Sequence, residues 1–577
     1  MKNPSPEIVL VIAEDPLVSA QRPVWGTGGW FPPEEREALD WIGLLRLMGW
    51  EVLVLSAGEF LSMDFSGNRI KCLILASDIA DFPEEIEPVI FSLLEEQAML
   101  TMVRLGGFGS GIADRFGVSK APGLVITTEL HYQDEVRHAF WQTRKTIQLE
   151  GLDTSVPFDI KVGTEGGILV GGFRKGRGRV LFFCFQPSRA RDLDGAMTRM
   201  LRYVLLCGVP SPSVAINWDQ TLALRMDDPG SSEIIHHEIY QDCAKLEEQD
   251  WSMLGKELRQ RKACLSVGYV PGWVDDGDNH NSQLQVGDDF PPRERGMVHP
   301  SPLVYYQRSY TDGSSREYDY RTEFRCLIDL IREGIVSPAA HGFTHIHPDR
   351  DKWLNAADRG SNSSWYREFG SSGMTAIRHL SPDLHPLLRT IDWMKEFYGR
   401  IPGVLIFPGE VFTPEAVEFA LKFDFRLISS YYLAIRHGQH FCWIQHACAP
   451  YLDAPDPAWF DAGMPVVSCF HDWDVSRNGM LWLRQWMEAW QHAGASNFIH
   501  LEEISDSLDL RFRLEREAEN YRLLIHSYRG KLPEGALRLD LCFGKLDVPS
   551  ELEVVTDSGR WRKRVKCTGP GLGLIEM

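Results

Sequence analysis

The stretch at residues 221–230, TLALRMDDPG, sets the reading of the chain. Its apolar run is short and stops at Pro229-Gly230, so it reads as a buried β-strand. Two carboxylates, Asp227 and Asp228, stand at its C-terminal end. Side chains alternate along a strand, so these neighbours point differently, one at a metal and the other at a substrate water. Further on, His341-Gly342-Phe343-Thr344-His345 follows another strand-like stretch, 335–340. A spacing of four brings both imidazoles to one side if a helical turn starts there, a turn that Gly342 weakens. An Asp with an H-x-x-x-H pair makes a three-ligand metal site with a position left for water. The set suits Zn²⁺ and also Fe, Co or Ni.

Working outward, residues 214–510 alternate strand and helix. Strands are expected at 222–226, 263–269, 335–340, 404–407, 425–430, 440–445 and 465–470. Helices are expected at 236–261, 317–334, 383–399, 413–423 and 477–494, with another at 501–508. This repeated βα pattern predicts a deformed (β/α) barrel, whose active residues sit at the C-terminal ends of its strands. The segment 271–320 has no clean period and reads as irregular. A segment that long is functional or mobile as a rule.

Residues 1–210 also alternate strand and helix, with strands at 8–13, 51–56, 71–76 and 99–105. They read as a flavodoxin-like, doubly wound parallel sheet. The helix at 34–48 places Ala38, Trp41, Ile42, Leu45 and Met48 on one face. The turn Gly106-Gly-Phe-Gly-Ser-Gly111 fits neither G-x-G-x-x-G nor a nucleophile elbow, and reads as a tight turn. The Pro-rich joint at 209–213 is the expected domain boundary. Residues 511–577 form short alternating strands, hence a small antiparallel β domain.

With 577 residues, about three domains are expected. A formal net charge of −20 argues against a general nucleic-acid binder. The first apolar run is short and meets Glu14 and Asp15, so it is a strand rather than a signal core, and no stretch is long enough to span a bilayer. The 11 cysteines are scattered without C-x-x-C and read as reduced core residues, which with the leaderless start points to the cytoplasm.

The central region resembles the polysaccharide deacetylase (NodB homology) family of metal-dependent carbohydrate esterases. The match rests on Met226-Asp227-Asp228 for its first motif and on His341–His345 for its H-[ST]-x-x-H motif, here with Gly342 in the Ser/Thr place. The resemblance implies Asp227 as catalytic base and Asp228, His341 and His345 as metal ligands. The family's R-x-P element appears as Ile406-Phe407-Pro408, so its arginine is missing. Arg225, two residues before Asp227 on the same strand face, either replaces it or is a structural charge lining the barrel. Cys469-Phe470-His471 fits the last motif and implies His471 as general acid, with Asp472 or Asp474 tuning its imidazole. The N-terminal region resembles class I glutamine-amidotransferase-like domains without their nucleophile, so it binds or scaffolds rather than catalyses.

Several residues remain open between substrate contact and plain packing. Glu410 is a substrate contact or an ordinary first-turn residue. His347 is an extra ligand or a structural histidine. Trp273, Tyr305, Tyr306, Tyr310, Tyr318 and Tyr320, with Asp275, Asp276 and Asp278, either build a sugar groove or pack a loop on the barrel. Trp353, Trp365, Tyr366 and Arg367 are expected at the cleft rim, with Trp365 and Tyr366 touching substrate. The function these features imply is metal-dependent removal of N-acetyl groups from an N-acetylated sugar or polysaccharide. De-O-acetylation, hydrolysis of a small-metabolite amide, and carbohydrate binding without catalysis are the alternatives.

Overall fold

The computed structural model describes residues 7–13, 33–65, 69–104, 123–125, 129–132, 135–138, 144–146, 160–162, 167–183, 195–210, 212–236, 243–310, 313–347, 366–369, 386–410, 412, 414–423, 425–430, 432–438, 440–448, 454–517, 520–527, 537–544 and 546–577. The Gly-rich turn at 106–111 lies outside them, as do Trp353 and Trp365.

The first sheet contains β1 (Ile8–Ile12), β2 (Val52–Ser56), β3 (Cys72–Asp78), β4 (Leu100–Arg104), β5 (Gly167–Lys175) and β6 (Gly178–Phe183). Its order is β2-β1-β3-β4-β6-β5, continued by three short strands. The pairs from β2 to β6 are all parallel, which is the flavodoxin-like winding. Both faces of β1 are covered. Ile8, Leu10 and Ile12 enter one apolar core, and Val9 and Val11 enter another. A strand buried on both faces reads as an unbroken apolar run, as IVLVI does.

Helix α1 (Pro33–Leu47) buries the expected stripe of Trp41, Ile42 and Leu45, and also Leu44, Arg46 and Leu47. Residues 40–47 are all buried because this part of the helix lies between the first sheet and the rest of the molecule. Arg46 donates to the Leu508 carbonyl at 2.6 Å, and Trp218 donates to the Leu47 carbonyl at 2.6 Å.

The central sheet holds β7 (Thr221–Asp227), β8 (Leu265–Tyr269), β9 (Val336–Ala340), β10 (Val404–Leu405), β11 (Leu427–Ser429), β12 (Tyr432–His437), β13 (His440–Cys448) and β14 (Val466–His471). The order is β13-β12-β11-β10-β9-β8-β7-β14. β14 and β7 through β11 run parallel, while β12 and β13 return as an antiparallel hairpin. Among the described residues no backbone pairing joins β13 to β14, so this is a deformed, incompletely closed barrel. The parallel register sets Asp227 beside His471 on one side and Gly268 on the other.

Three expectations change. The segment read as irregular contains five short strands. Gly272–Val274 pairs with Val298–Pro300, and Ser282–Val286, Val304–Ser309 and Ser315–Asp319 form a three-stranded antiparallel sheet. Its strands are short and rich in polar residues, so they carry almost no hydrophobic period. Among the described residues the expected helix at 236–261 appears as α2 (Glu248–Gln260), with residues 243–247 outside it and a single turn at Glu233–His236 before it. At the C-terminus there are two four-stranded sheets. One contains a parallel pair, Asn520–Ser527 with Glu551–Thr556. The other takes in Ser213–Ile216, so the residues after the Pro-rich joint pair with Arg538–Cys542.

No helix among the described residues is long and apolar enough to cross a membrane. The nine cysteines whose side chains are described are free of disulfides.

Candidate metal centre

The C-terminal ends of β7 and β9 bring Asp228, His341 and His345 together. Asp228 Oδ1 lies 3.3 Å from His341 Nε2 and 3.3 Å from His345 Nε2. All three residues are buried. The other imidazole nitrogens face acceptors. His341 Nδ1 is 3.3 Å from the Ile406 carbonyl, and His345 Nδ1 is 3.0 Å from Glu233 Oε2. The Ile406 carbonyl suits an N–H on His341 Nδ1, which leaves its Nε2 lone pair turned to Asp228, whereas the close approach of His345 Nδ1 to Glu233 is not a hydrogen bond. Asp228 Oδ1 is buried and has no hydrogen-bond partner among the described residues. Three convergent ligand atoms in a buried space are what a cation satisfies. Tetrahedral Zn²⁺ with bonds of about 2.0–2.1 Å has ligand–ligand edges of roughly 3.3–3.4 Å, so the group fits such an ion. Burial and the neighbouring His341 and His471 push the His345 imidazole down to about 4, despite the Asp228 charge, which keeps it neutral.

The backbone is bent to achieve this. Asp228 has φ 77° and His345 φ 62°, left-handed values for residues with side chains. Such strain persists only where surroundings over-determine it. At His345 the holding group is Glu368, a buried carboxylate that accepts from Phe343 N at 2.7 Å, Thr344 N at 3.1 Å, His345 N at 3.3 Å and Thr344 Oγ1 at 3.1 Å. Gly342 has φ 66°, and a Cβ there would lie 2.3 Å from Glu368 Oε2 and 2.5 Å from Pro408 Cγ. The glycine in the expected Ser/Thr place is thus required by the carboxylate beneath it. The histidine spacing is carried by this tied loop and not by a helical turn.

Asp227 points the other way. Arg225, buried beside it, donates through Nε to Oδ1 at 2.9 Å and Oδ2 at 3.0 Å, and through Nη2 to Oδ2. The same guanidinium donates to Glu410 Oε1 at 2.6 Å and Ser429 Oγ at 3.2 Å. Burial opposes ionisation of Asp227, but the Arg225 charge holds its carboxyl below the usual range. Burial likewise works against the Arg225 cation, and Asp227 outweighs it. Cys469 completes this side, its thiol donating to Asp227 Oδ2 at 3.5 Å.

His471 ends β14. Its Nδ1 is 3.2 Å from Asp474 Oδ2, which also accepts from the His471 backbone N–H at 2.8 Å and so starts α3 (Asp472–His492). Its Nε2 is 3.9 Å from Asp228 Oδ2. Burial lowers its pKa, but the Asp474 hydrogen bond, with Asp228 and Asp227, carries it up to about 9. Of the two candidate partners, Asp474 is the one that meets the imidazole. Asp472 instead pairs with Lys245 Nζ at 2.5 Å. That ammonium also meets Glu323 at 2.6 Å, and Glu323 accepts from Gly230 N at 2.7 Å, so a buried ionic layer fixes the turn after Asp228.

The remaining candidates divide. Tyr366 is half-buried and stacks on His345 at 6.3 Å and 13°. Glu410 is bound by Arg225 and Ser430. His347 is buried. Trp273 was expected at substrate, but its ring is fully buried against Tyr306, Tyr320 and His299 and presents no face to a ligand. Asp275 and Asp276 are likewise occupied, by Arg293. Of the two readings of this segment, packing accounts for these residues. Sequence reasoning missed Glu233, Glu368 and Trp473. Trp473 stood in plain view two residues after His471, whereas nothing in the sequence ties Glu368 to the histidine loop.

No protein-family model and no curated protein matches the sequence. Among solved structures, a Mycobacterium smegmatis chain provisionally named a polysaccharide deacetylase is similar at 12% identity and TM-score 0.29, covering 51% of this chain and 91% of that one. An exo-β-1,4-mannosidase from Opitutaceae bacterium strain TAV5 follows at 12% identity and TM-score 0.22, over 32% of this chain and 31% of its own length. A β-galactosidase from the haloarchaeon Halorubrum lacusprofundi gives 12% identity and TM-score 0.24, over 37% and 34%. This chain thus spans about a third of the length of either glycosidase. Likenesses this distant carry no argument, and the description of the site rests on its own residues: a buried Asp and two His, arranged to hold a metal ion, at the ends of parallel strands.

Proposed function

We propose that the chain is a metal-dependent hydrolase that removes N-acetyl groups from an N-acetylated sugar or polysaccharide. One observation carries the reading. The metal-type group Asp228–His341–His345 sits next to a second carboxylate, Asp227, held ionised by its own arginine, and His471 ends the adjacent strand. Asp228, His341 and His345 would hold the ion, and when bound it supplies Lewis-acid polarisation of the acetyl carbonyl and acidifies a water.

Asp227, ionised and fixed by Arg225, accepts the proton of the attacking water. Arg225 takes the place of the missing arginine, since it grips both oxygens of the base from within the same strand. His471, cationic and turned by Asp474, protonates the departing sugar nitrogen. The C–N bond breaks, water adds to the acyl carbon, and acetate and an amine leave. Tyr366 and Glu410 are the described substrate candidates that touch these groups, Tyr366 stacking on His345 and Glu410 accepting from Arg225. Release of acetate from a panel of N- and O-acetylated sugars by Zn²⁺-loaded protein tests the reading. Asp227→Ala should keep metal and lose activity, and His341→Ala should lose both. Activity surviving both substitutions would sink it.

A further inference from the structure

Asp228 has two carboxylate oxygens in different surroundings. Oδ1 faces both imidazoles at 3.3 Å. Oδ2 accepts from the indole Nε1 of Trp473 at 3.3 Å and lies 3.9 Å from His471 Nε2. The same indole stacks on the His471 ring, with centroids 4.6 Å apart and planes 15° from parallel. The Arg477 guanidinium lies over the indole at 5.4 Å. Trp473 is 8% exposed and sits in the first turn of α3, where Asp474 and the helix start fix its backbone.

We propose that Trp473 is a positioning residue of the metal centre, its N–H holding Asp228 Oδ2 so that Oδ1 alone faces the histidines, and its ring face setting the plane of His471. The inference rests on the metal-centre reading above and adds a statement about coordination. A carboxylate with both oxygens free can bind a cation through either or both. One oxygen tied by a neutral donor leaves one ligand atom, a four-coordinate ion and a position open for water. A neutral donor suits this task better than a cation, which would compete with the metal for the carboxylate charge. Trp473 also joins two strands, since Asp228 follows β7 and His471 ends β14. Ligand and proton donor are then aligned through one rigid ring.

The test uses the full chain loaded with Co²⁺, whose visible absorption intensity falls as coordination number rises. Wild type should bind Co²⁺ and give a strong, four-coordinate spectrum. Trp473→Phe keeps the ring stack and deletes the N–H. It should weaken Co²⁺ binding about 10–100-fold, the range for loss of a partner to a ligand, and reduce the band intensity. Thermal unfolding of the metal-free variant should stay near wild type. Should the Phe variant fail to fold, the indole N–H of Trp473 in wild-type protein serves as the readout: followed by NMR, it should be slow to exchange, and free exchange like that of an exposed tryptophan would overturn the inference. Wild-type affinity and spectrum in Trp473→Phe would overturn the inference and leave the metal-centre reading standing. A wild-type protein that takes up no Co²⁺ or Zn²⁺ would overturn both.

Discussion

At Asp227 two opposing effects meet, and their balance is testable. Burial alone would push the carboxyl up, and Arg225 reverses the sign. Because Asp227 ionises below its ordinary value of about 3.9, its charge contributes stability above that pH, and the contribution is lost as pH falls through the depressed folded value. Arg225→Ala leaves Asp227 and Glu410 without their shared cation. It should cost on the order of 3–5 kcal/mol in denaturant unfolding at pH 7 and shift the acidic limb of the pH–rate profile to higher pH. An unshifted acidic limb would mean that Arg225 does not tune the base. His471 has the opposite sign. Its pKa is raised to about 9, so its contribution to stability is full below about 6.5 and disappears as pH rises through about 9. As a proton donor it should lose activity over the same upper window. Asp474→Asn should move that limb down toward the ordinary imidazole value, with His471 followed by NMR titration. A limb that stays in place would remove Asp474 from the assignment.

The loop 341–345 shows how an element outside regular secondary structure is determined. The His341 N–H ends the ladder by donating to the Tyr269 carbonyl at 3.1 Å, and the Glu368 carboxylate takes those of Phe343, Thr344 and His345 beyond it. Gly342 has both a left-handed φ and no room for a Cβ. Gly342→Ala should therefore destabilise the protein by on the order of 3 kcal/mol and lower metal affinity along with it. A variant with wild-type unfolding midpoint and metal content would contradict this account. The strands β7, β9 and β14 were legible from short apolar runs ending in polar residues. The small sheets between residues 272 and 319 were not. Their stability comes from cross-strand pairs such as Tyr306 with Tyr318, and partners separated along the chain leave no local period.

On the scale of the whole molecule, the ends are interlocked. Ser213–Ile216 precedes the barrel in sequence but pairs with Arg538–Cys542. Arg202, buried beside it, donates to the Gly463 and Ile216 carbonyls. Leu539, Leu541 and Ile575 are buried at 0–1% exposure in the sheet that contains this strand. Burying each such side chain is worth about 1.5–3 kcal/mol. Removing residues 511–577 should therefore lower the thermal midpoint by well over 10 °C or yield insoluble protein, as seen by calorimetry and light scattering. The proposed division at 214–510 predicts otherwise for a fragment that folds alone. A barrel fragment with the full chain's midpoint would show the end sheets to be independent attachments.

The sequence alone determined the kind of scaffold and singled out the residues proposed to carry chemistry. Asp227, Asp228, His341, His345 and His471 stand out because strand ends and fixed spacings are local features, and local features survive in a linear string. The flavodoxin-like winding was legible for the same reason, since apolar runs and helical stripes alternate along the chain. Only the tertiary structure decided how the five residues are made to work. Arg225 becomes a clamp because β11 and the turn at Glu410 close over it. Glu368 and Trp473 reach the metal group from 23 and 245 residues away, and Trp273 turns from a substrate contact into core. Contacts between distant segments depend on how strands are ordered in the sheet and where burial must be compensated, and neither is written in the spacing of neighbours.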